Sequence, residues 1–426
     1  MRRFILVCIV LTFVVCPAFA ADFKAGFAKK DITPKKNIPM WGYGARHDFL
    51  SKETCDPLFA KALVIEANGV KAALVGLDLG RSPTFTSTDA ILAAVQQQSG
   101  VEYVMMSGSH THHGPVIELV DEPGKGKGKF DDAVAYAKEL EQNIIAVINE
   151  AAAGLVEAKI GWGTAETDLN RNRHAKKQPK PVDPELAVVR FDDLQGKTIA
   201  LMVNMAAHAT IFDIRDRRWT SEWPGSMQMF VEQDIDANCL FMQGAEGDLS
   251  PNTNDKRKGI RGFGRAVADK VKEINQGITT AVPANPGIRG VYDRFEFPSR
   301  VDFTDNFIQG MFKQAFFPEM VAVLDEVQGN IIRPRLITLV INGELALVGG
   351  SGEFFCEHST RLKQESKAKE TLFFGLCNGH CMYFPTEKAV EQGGYGADPG
   401  FAWVPPTAGR DMIDKALANI DTLLTP

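Results

Sequence analysis

A chain of 426 residues with 53 acidic against 47 basic side chains carries a formal charge of −6, a balance that excludes nucleic acid or an anionic membrane as its main partner. An apolar share of 45% supplies a large core. Beyond the first residues, no apolar run reaches the roughly 18 to 20 residues needed to cross a bilayer.

The N-terminus reads as a leader. Arg2 and Arg3 precede an apolar run from Phe4 to Val15, and Pro17-Ala18-Phe19-Ala20 ends in an A-x-A pattern. These features predict a signal peptide over residues 1–20, one domain over 21–426, and a secreted or periplasmic product with no transmembrane segment after processing. Losing Arg2 and Arg3 leaves 45 basic side chains and a formal charge of −8. Five cysteines then remain, Cys55, Cys239, Cys356, Cys377 and Cys381. Their number is odd and their density low, so this is no disulfide scaffold.

In chain order, Ala62–Ala67 and Val70–Leu79 read as a hairpin across Asn68-Gly69. Ser87–Gln98 has helical spacing, with Ser87 or Thr88 as the expected cap. Tyr103–Met106 is a buried strand, and Asp131–Ala153 a long amphipathic helix. Leu186–Phe191 and Thr198–Asn204 pair across a polar turn. A helix is expected over Ser226–Ile235 and a short strand over Leu240–Met242. Leu336–Ile341 and Leu345–Val348 pair across Asn342-Gly343, and the chain ends on a helix over Ala408–Leu424. Glu122–Lys129 and Ala175–Pro184 read as surface loops. The order predicts a mixed α/β domain with several hairpins, not a βαβ series.

The chemistry gathers after buried strands. Ser109-His110-Thr111-His112-His113-Gly114-Pro115 holds three of the eight histidines. In an extended segment His110 and His112 face one side, and neutral imidazole suits zinc. The segment resembles the His-x-His-x-Asp-His of metallo-β-lactamase-type hydrolases, but Gly114 follows His113 where that pattern needs an acid. His208 follows the strand ending at Asn204. Gly244-Ala245-Glu246-Gly247-Asp248-Leu249-Ser250-Pro251-Asn252 presents polar groups on a turn that two glycines permit. Glu353 follows another apolar strand, where it could also cap a helix. Cys377-x-x-His380-Cys381 has metal-like spacing but lacks a fourth ligand nearby.

Together these segments resemble the neutral ceramidase family of zinc amidases. Asp31-Ile32-Thr33-Pro34, Trp41-Gly42-Tyr43-Gly44, His110-Thr111-His112-His113-Gly114-Pro115, Asn170-Arg171, Gly247-Asp248-Leu249-Ser250-Pro251-Asn252, Gly352-Glu353-Phe354 and Gly375-Leu376-Cys377-Asn378 stand in the family's order. The resemblance implies an α/β, mixed-sheet catalytic domain without the family's C-terminal immunoglobulin-like domain. It implies a Zn2+ site made by His110, His208, Glu353 and Tyr383. It further implies Ser250 as the catalytic serine, and His112, Arg171 and Tyr395 along the substrate amide. Asp248 would orient its neighbours. His113 stands where the family has serine, and Ser221-Glu222-Trp223-Pro224-Gly225 replaces a Ser-Asp-Asn-type segment.

The implied reaction is hydrolysis of a lipid-like N-acyl amide, ceramide above all, with peripheral rather than transmembrane contact with lipid. The oligomeric state stays open. Phe307, Met311, Phe312, Phe316 and Phe317 could line an acyl-chain entrance, although core packing of one helix explains them more simply. Competing readings are a zinc hydrolase for another amide or ester, a serine hydrolase without metal, and a non-catalytic envelope binding protein.

Overall fold

The computed structural model describes residues 23–46, 48–316 and 327–425. The leader and Phe317 lie outside them. Eight strands form the larger sheet: β1 (Phe23–Asp31), β2 (Phe59–Ala67), β3 (Val70–Leu77), β4 (Val101–Gly108), β5 (Val156–Glu166), β6 (Glu185–Asp193), β7 (Thr198–Met205) and β8 (Asn238–Gln243). Their order is β8-β7-β6-β5-β1-β2-β3-β4. The pairs β3/β4 and β7/β8 are parallel and the rest antiparallel, so the sheet is mixed. The β2–β3 turn is the expected Asn68-Gly69, with φ of 50° and 81°, the positive values that a two-residue hairpin turn needs. A second sheet, β9 (Ile288–Arg294), β10 (Arg335–Ile341), β11 (Leu345–Gly350) and β12 (Glu370–Phe374), runs in that order, with β11/β12 parallel.

The two sheets pack face to face between helices. In β6, Ala187, Val189 and Phe191 join Leu339, Leu347 and Phe374 of the second sheet. Leu186 and Val188 on the opposite face meet helices α3 (Glu222–Ile235) and α4 (Gly259–Gly277). Helices α1 (Phe85–Ser99) and α2 (Asp131–Ala153) cover the other half of the large sheet. Strands buried on both faces carry continuous apolar runs, which is why they stood out by composition rather than by alternation. Helix α1 is capped by Thr84, whose hydroxyl accepts from the Ser87 amide, and not by Ser87 or Thr88. Helix α3 begins at Glu222, ahead of the expected Ser226, because Pro224 fits the first turn of a helix.

On the outer face of the second sheet lie α5 (Asn306–Ala315), α6 (Cys356–Glu365) and α7 (Ala408–Leu424). Leu362, Met412, Ile413 and Ile420 pack on Val340, Val348 and Phe373. Helix α7 crosses α6 at Gly409, where an added Cβ would lie 2.4 Å from His358 Nε2. Burial holds the His358 imidazole down to about 4, against an ordinary 6.5. Between those values the unfolded chain takes up a proton that the folded one refuses, so His358 erodes stability as pH falls from about 6.5 towards 4. The variant His358→Gln lacks this liability. Its melting temperature relative to the unsubstituted protein should climb steadily across that window. A constant offset from pH 7 to 4 would count against the buried neutral imidazole.

Strands of both sheets end at one place. Just past β4 and β7, Thr111 and Ala209 form a parallel bridge, and Ser107 at the end of β4 bridges Cys377 beyond β12. The loops leaving β4, β7, β8, β11 and β12 carry His110, His112, His208, Glu246, Asp248, Glu353 and His380.

Candidate metal centre

His110 leaves β4 with a φ of 65°, unusual for a residue with a Cβ. Its amide donates to the Leu79 carbonyl (3.0 Å) and its Nδ1 to the Gly80 carbonyl (2.8 Å). Past β7, His208 Nδ1 donates to the carbonyls of Glu246 (2.9 Å) and Leu249 (3.1 Å). Trp223 Nε1 holds the His208 carbonyl from behind at 3.0 Å. A carbonyl can only accept, so both rings carry their proton on Nδ1 and leave Nε2 unprotonated. Burial, with the charge of Arg173 adding to it, keeps His208 neutral down to about 3. Burial also holds His112 well below 6.5, reinforced by His110 and His208.

Glu353 lies on a two-residue ladder, Glu353–Phe354 with Tyr383–Phe384, ahead of α6 rather than capping it. Its Oε2 is 3.4 Å from His110 Nε2 and 3.2 Å from His208 Nε2, and it has no hydrogen-bond donor. Three lone-pair atoms thus converge in a buried place, an arrangement that a cation relieves. The other carboxylate oxygen sits 3.1 Å from His380 Nε2. His112 Nε2 is 3.3 Å from His110 Nε2, and His110, His112 and His208 can share one ion. The residues present therefore fit a metal held by His110, His208 and Glu353. Tyr383, paired in register with Glu353, supplies a nearby phenol. Burial and the Glu353 carboxylate push that hydroxyl well above 10, so it is a neutral phenol in the protein itself.

The arginine that reaches this cluster is Arg173, not Arg171. Its Nη2 lies 2.7 Å from His208 Nε2 and donates to Tyr383 Oη and the Gly247 carbonyl, both at 3.1 Å. Arg171 pairs with Ser250 across the short ladder Asn170–Asn172 with Leu249–Pro251, where Arg171 is exposed and Ser250 half-buried. Among the described residues, neither of their side chains hydrogen-bonds to the cluster. Asp248 braces the surrounding loops. Its carboxylate accepts from the Cys356 amide (2.8 Å) and from Asn172 Nδ2 (2.6 Å), and burial raises its pKa to about 6. His113 turns away, bonding the Asp213 carbonyl at 3.1 Å and stacking edge-on to Phe212.

Above the cluster is a cleft walled by Trp41, Tyr43, Met382, Tyr395, Phe401 and Trp403. Trp41 sits within 5.8 Å of the rings of His110, His112 and His380, and its Nε1 is anchored on Glu118 at 2.9 Å. Gly42, with φ of 104°, is needed here, because an added Cβ would fall 2.5 Å from His112 Cγ. Tyr395 stands at the mouth, with Arg173 5.4 Å from its ring. The α5 aromatics divide. Phe312 and Phe316 line the cleft, Met311 lines its outer rim, and Phe307 points out, 72% exposed.

Sequence reading passed over Arg173, His380 and Glu246 as site residues. His380 was visible only within a cysteine pattern, yet Cys377 and Cys381 are buried among apolar side chains of the core.

A family model for neutral/alkaline non-lysosomal ceramidase, N-terminal, matches residues 23–262, more than half of the chain. The chain belongs to that ceramidase family. It is 25% identical over 283 residues to a neutral ceramidase of Drosophila pseudoobscura pseudoobscura and 24% to that of Drosophila melanogaster. Each match covers 58% of this chain and 39% of the relative, so the ceramidase-family chain spans about two fifths of those curated relatives. Among solved structures it resembles neutral ceramidase from Pseudomonas aeruginosa, with a TM-score of 0.75 at 19% identity, over 95% of this chain and 75% of that one. A ceramidase complexed with C2 gives 0.75 at 18%, with the same coverage. At these identities the likeness is one of fold, and it agrees with the mixed α/β architecture.

Proposed function

We propose that this ceramidase-family chain is a zinc-dependent amidohydrolase that cleaves the N-acyl amide of ceramide into a sphingoid base and a fatty acid. The carrying observation is the convergence of two unprotonated imidazole nitrogens on a Glu353 oxygen without a hydrogen-bond partner, beneath an aromatic cleft. His110, His208, Glu353 and Tyr383 would hold the ion. When bound, zinc polarises a carbonyl and brings the pKa of a bound water down to roughly 7. His112, beside His110 and neutral, takes a proton and passes it to the leaving amine. Arg173 and Tyr395 offer donors to the oxyanion that forms at the amide carbon. The role of Ser250, as nucleophile or as a hydroxyl that orients water, rests on its Gly-Asp-Leu-Ser-Pro-Asn segment.

Phe312 and Phe316 offer an apolar path for an acyl chain, and exposed Phe307 and Met311 beside it suit peripheral contact with lipid. No helix among the described residues is long and apolar enough to cross a membrane. Residues 1–20 acting as an export leader complete this reading, with 21–426 as one hydrolase domain.

Zinc content and ceramide hydrolysis, measured together on the unsubstituted chain, His110→Ala and Ser250→Ala, test it. About one zinc per chain is expected, lost with activity in His110→Ala, while Ser250→Ala keeps the metal and loses turnover. Zinc without ceramide cleavage would leave the centre standing and remove the substrate. A carefully purified protein that takes up no zinc would remove both.

A further inference from the structure

We propose that Glu246 is a further ligand of this centre, so that two carboxylates and two imidazoles hold the ion beside the Tyr383 phenol. The inference rests on the metal reading above and extends it to a residue outside the ligand set that the family resemblance implies.

Glu246 sits in the turn Gly244-Ala245-Glu246-Gly247 after β8 and is wholly buried. Neither of its carboxylate oxygens has a hydrogen-bond partner. A carboxylate oxygen of Glu246, a ring nitrogen of His110 and a carboxylate oxygen of Glu353 all lie within 4.8 Å of one another. Two acids thus face each other in a dry place with no donor between them, which is costly unless a cation joins them. The nearby guanidinium does not do so. Arg173 gives its hydrogen bonds to His208, the Gly247 carbonyl and Tyr383.

The fold also makes room for this side chain. A Cβ at Gly375 would come 2.7 Å from Glu246 Oε2 and 2.5 Å from the Gly244 carbonyl. Only glycine at 375 lets the Glu246 carboxylate lie where it does. The Glu246 carbonyl meanwhile accepts from His208 Nδ1. One residue therefore orients a ligand through its backbone and offers its side chain to the same ion. The donor set becomes two nitrogens and two anionic oxygens, whose charge balances a divalent ion and tolerates Mn2+ or Co2+ in place of Zn2+.

The test uses the full chain, stripped of metal, with Glu246→Gln as the near-isosteric variant and His110→Ala as the reference for a lost ligand. Zinc affinity is read by competition with a chromophoric chelator, and melting temperature is read with and without zinc. Glu246→Gln should bind zinc at least about a hundredfold more weakly, beyond the 10- to 100-fold typical of losing an outer-shell partner. Without metal it should melt no lower than the unsubstituted chain, since glutamine is near-isosteric and brings no charge into the buried site, and its zinc-induced rise should shrink. Unchanged zinc affinity in Glu246→Gln would overturn the proposal, even if activity fell, because the carboxylate would then act on protons rather than on the ion. If the unsubstituted chain bound no zinc, the parent reading would fail first, and visibly so.

Discussion

Replacing His208 with alanine should abolish zinc binding and lower ceramide turnover at least about a thousandfold, the equivalent of several kcal/mol of lost charge stabilisation. The size of the effect follows from how the ring is held. His208 is wholly buried, its Nδ1 shared between two carbonyls and its own carbonyl tied to Trp223. Among the described residues, no other side chain takes the place of this ring beside Glu353 Oε2 and the Glu246 carbonyl. The loss should not be rescued by raising pH, because alanine has no nitrogen for deprotonation to expose. Zinc by elemental analysis, turnover and far-UV circular dichroism on one preparation separate a lost ligand from a lost fold. A folded His208→Ala that kept its zinc would remove this ring from the centre.

The second large effect separates two arginines two residues apart. Arg173→Ala should lower kcat by about 10²–10³-fold, the usual cost of removing a preorganised oxyanion donor, with a smaller change in KM. Arg171→Ala should stay within about threefold, as its side chain is exposed on the Asn170–Asn172 strand. Arg173→Lys should recover little, because an ammonium is a point charge on a flexible stem and lacks the planar fork of the guanidinium. Equal losses in both alanine variants would show that the cleft reaches Arg171.

These two arginines also mark where the sequence stopped being informative. Strands such as Leu186–Phe191 and the helices Asp131–Ala153 and Ala408–Leu424 were legible because burial imposes long apolar or periodic runs. His110, His208 and Glu353 were legible because each follows such a run within a motif of recognisable order. Arg173 was not, because choosing between two nearby arginines needs the path of the chain beyond the strand, and there the backbone turns the second one inward. Helix α4 escaped notice because four glycines and many charges dilute its stripe of Phe263, Val267, Val271 and Ile274. Glu246 and His380 escaped for a different reason. Their role depends on Glu353, distant in the chain, and on a glycine at 375 that reveals itself only as empty space.

The convergence of loops from both sheets bears on timing. His110 and Glu353 are separated by more than half the chain, and they meet only after the two sheets have docked. Contacts so distant in the chain cost loop-closure entropy before they stabilise anything, which slows folding. On the proposed metal reading, a chain whose sheets have not yet docked has no assembled pocket to load, so metal capture would be a late event, set by the compartment in which folding finishes.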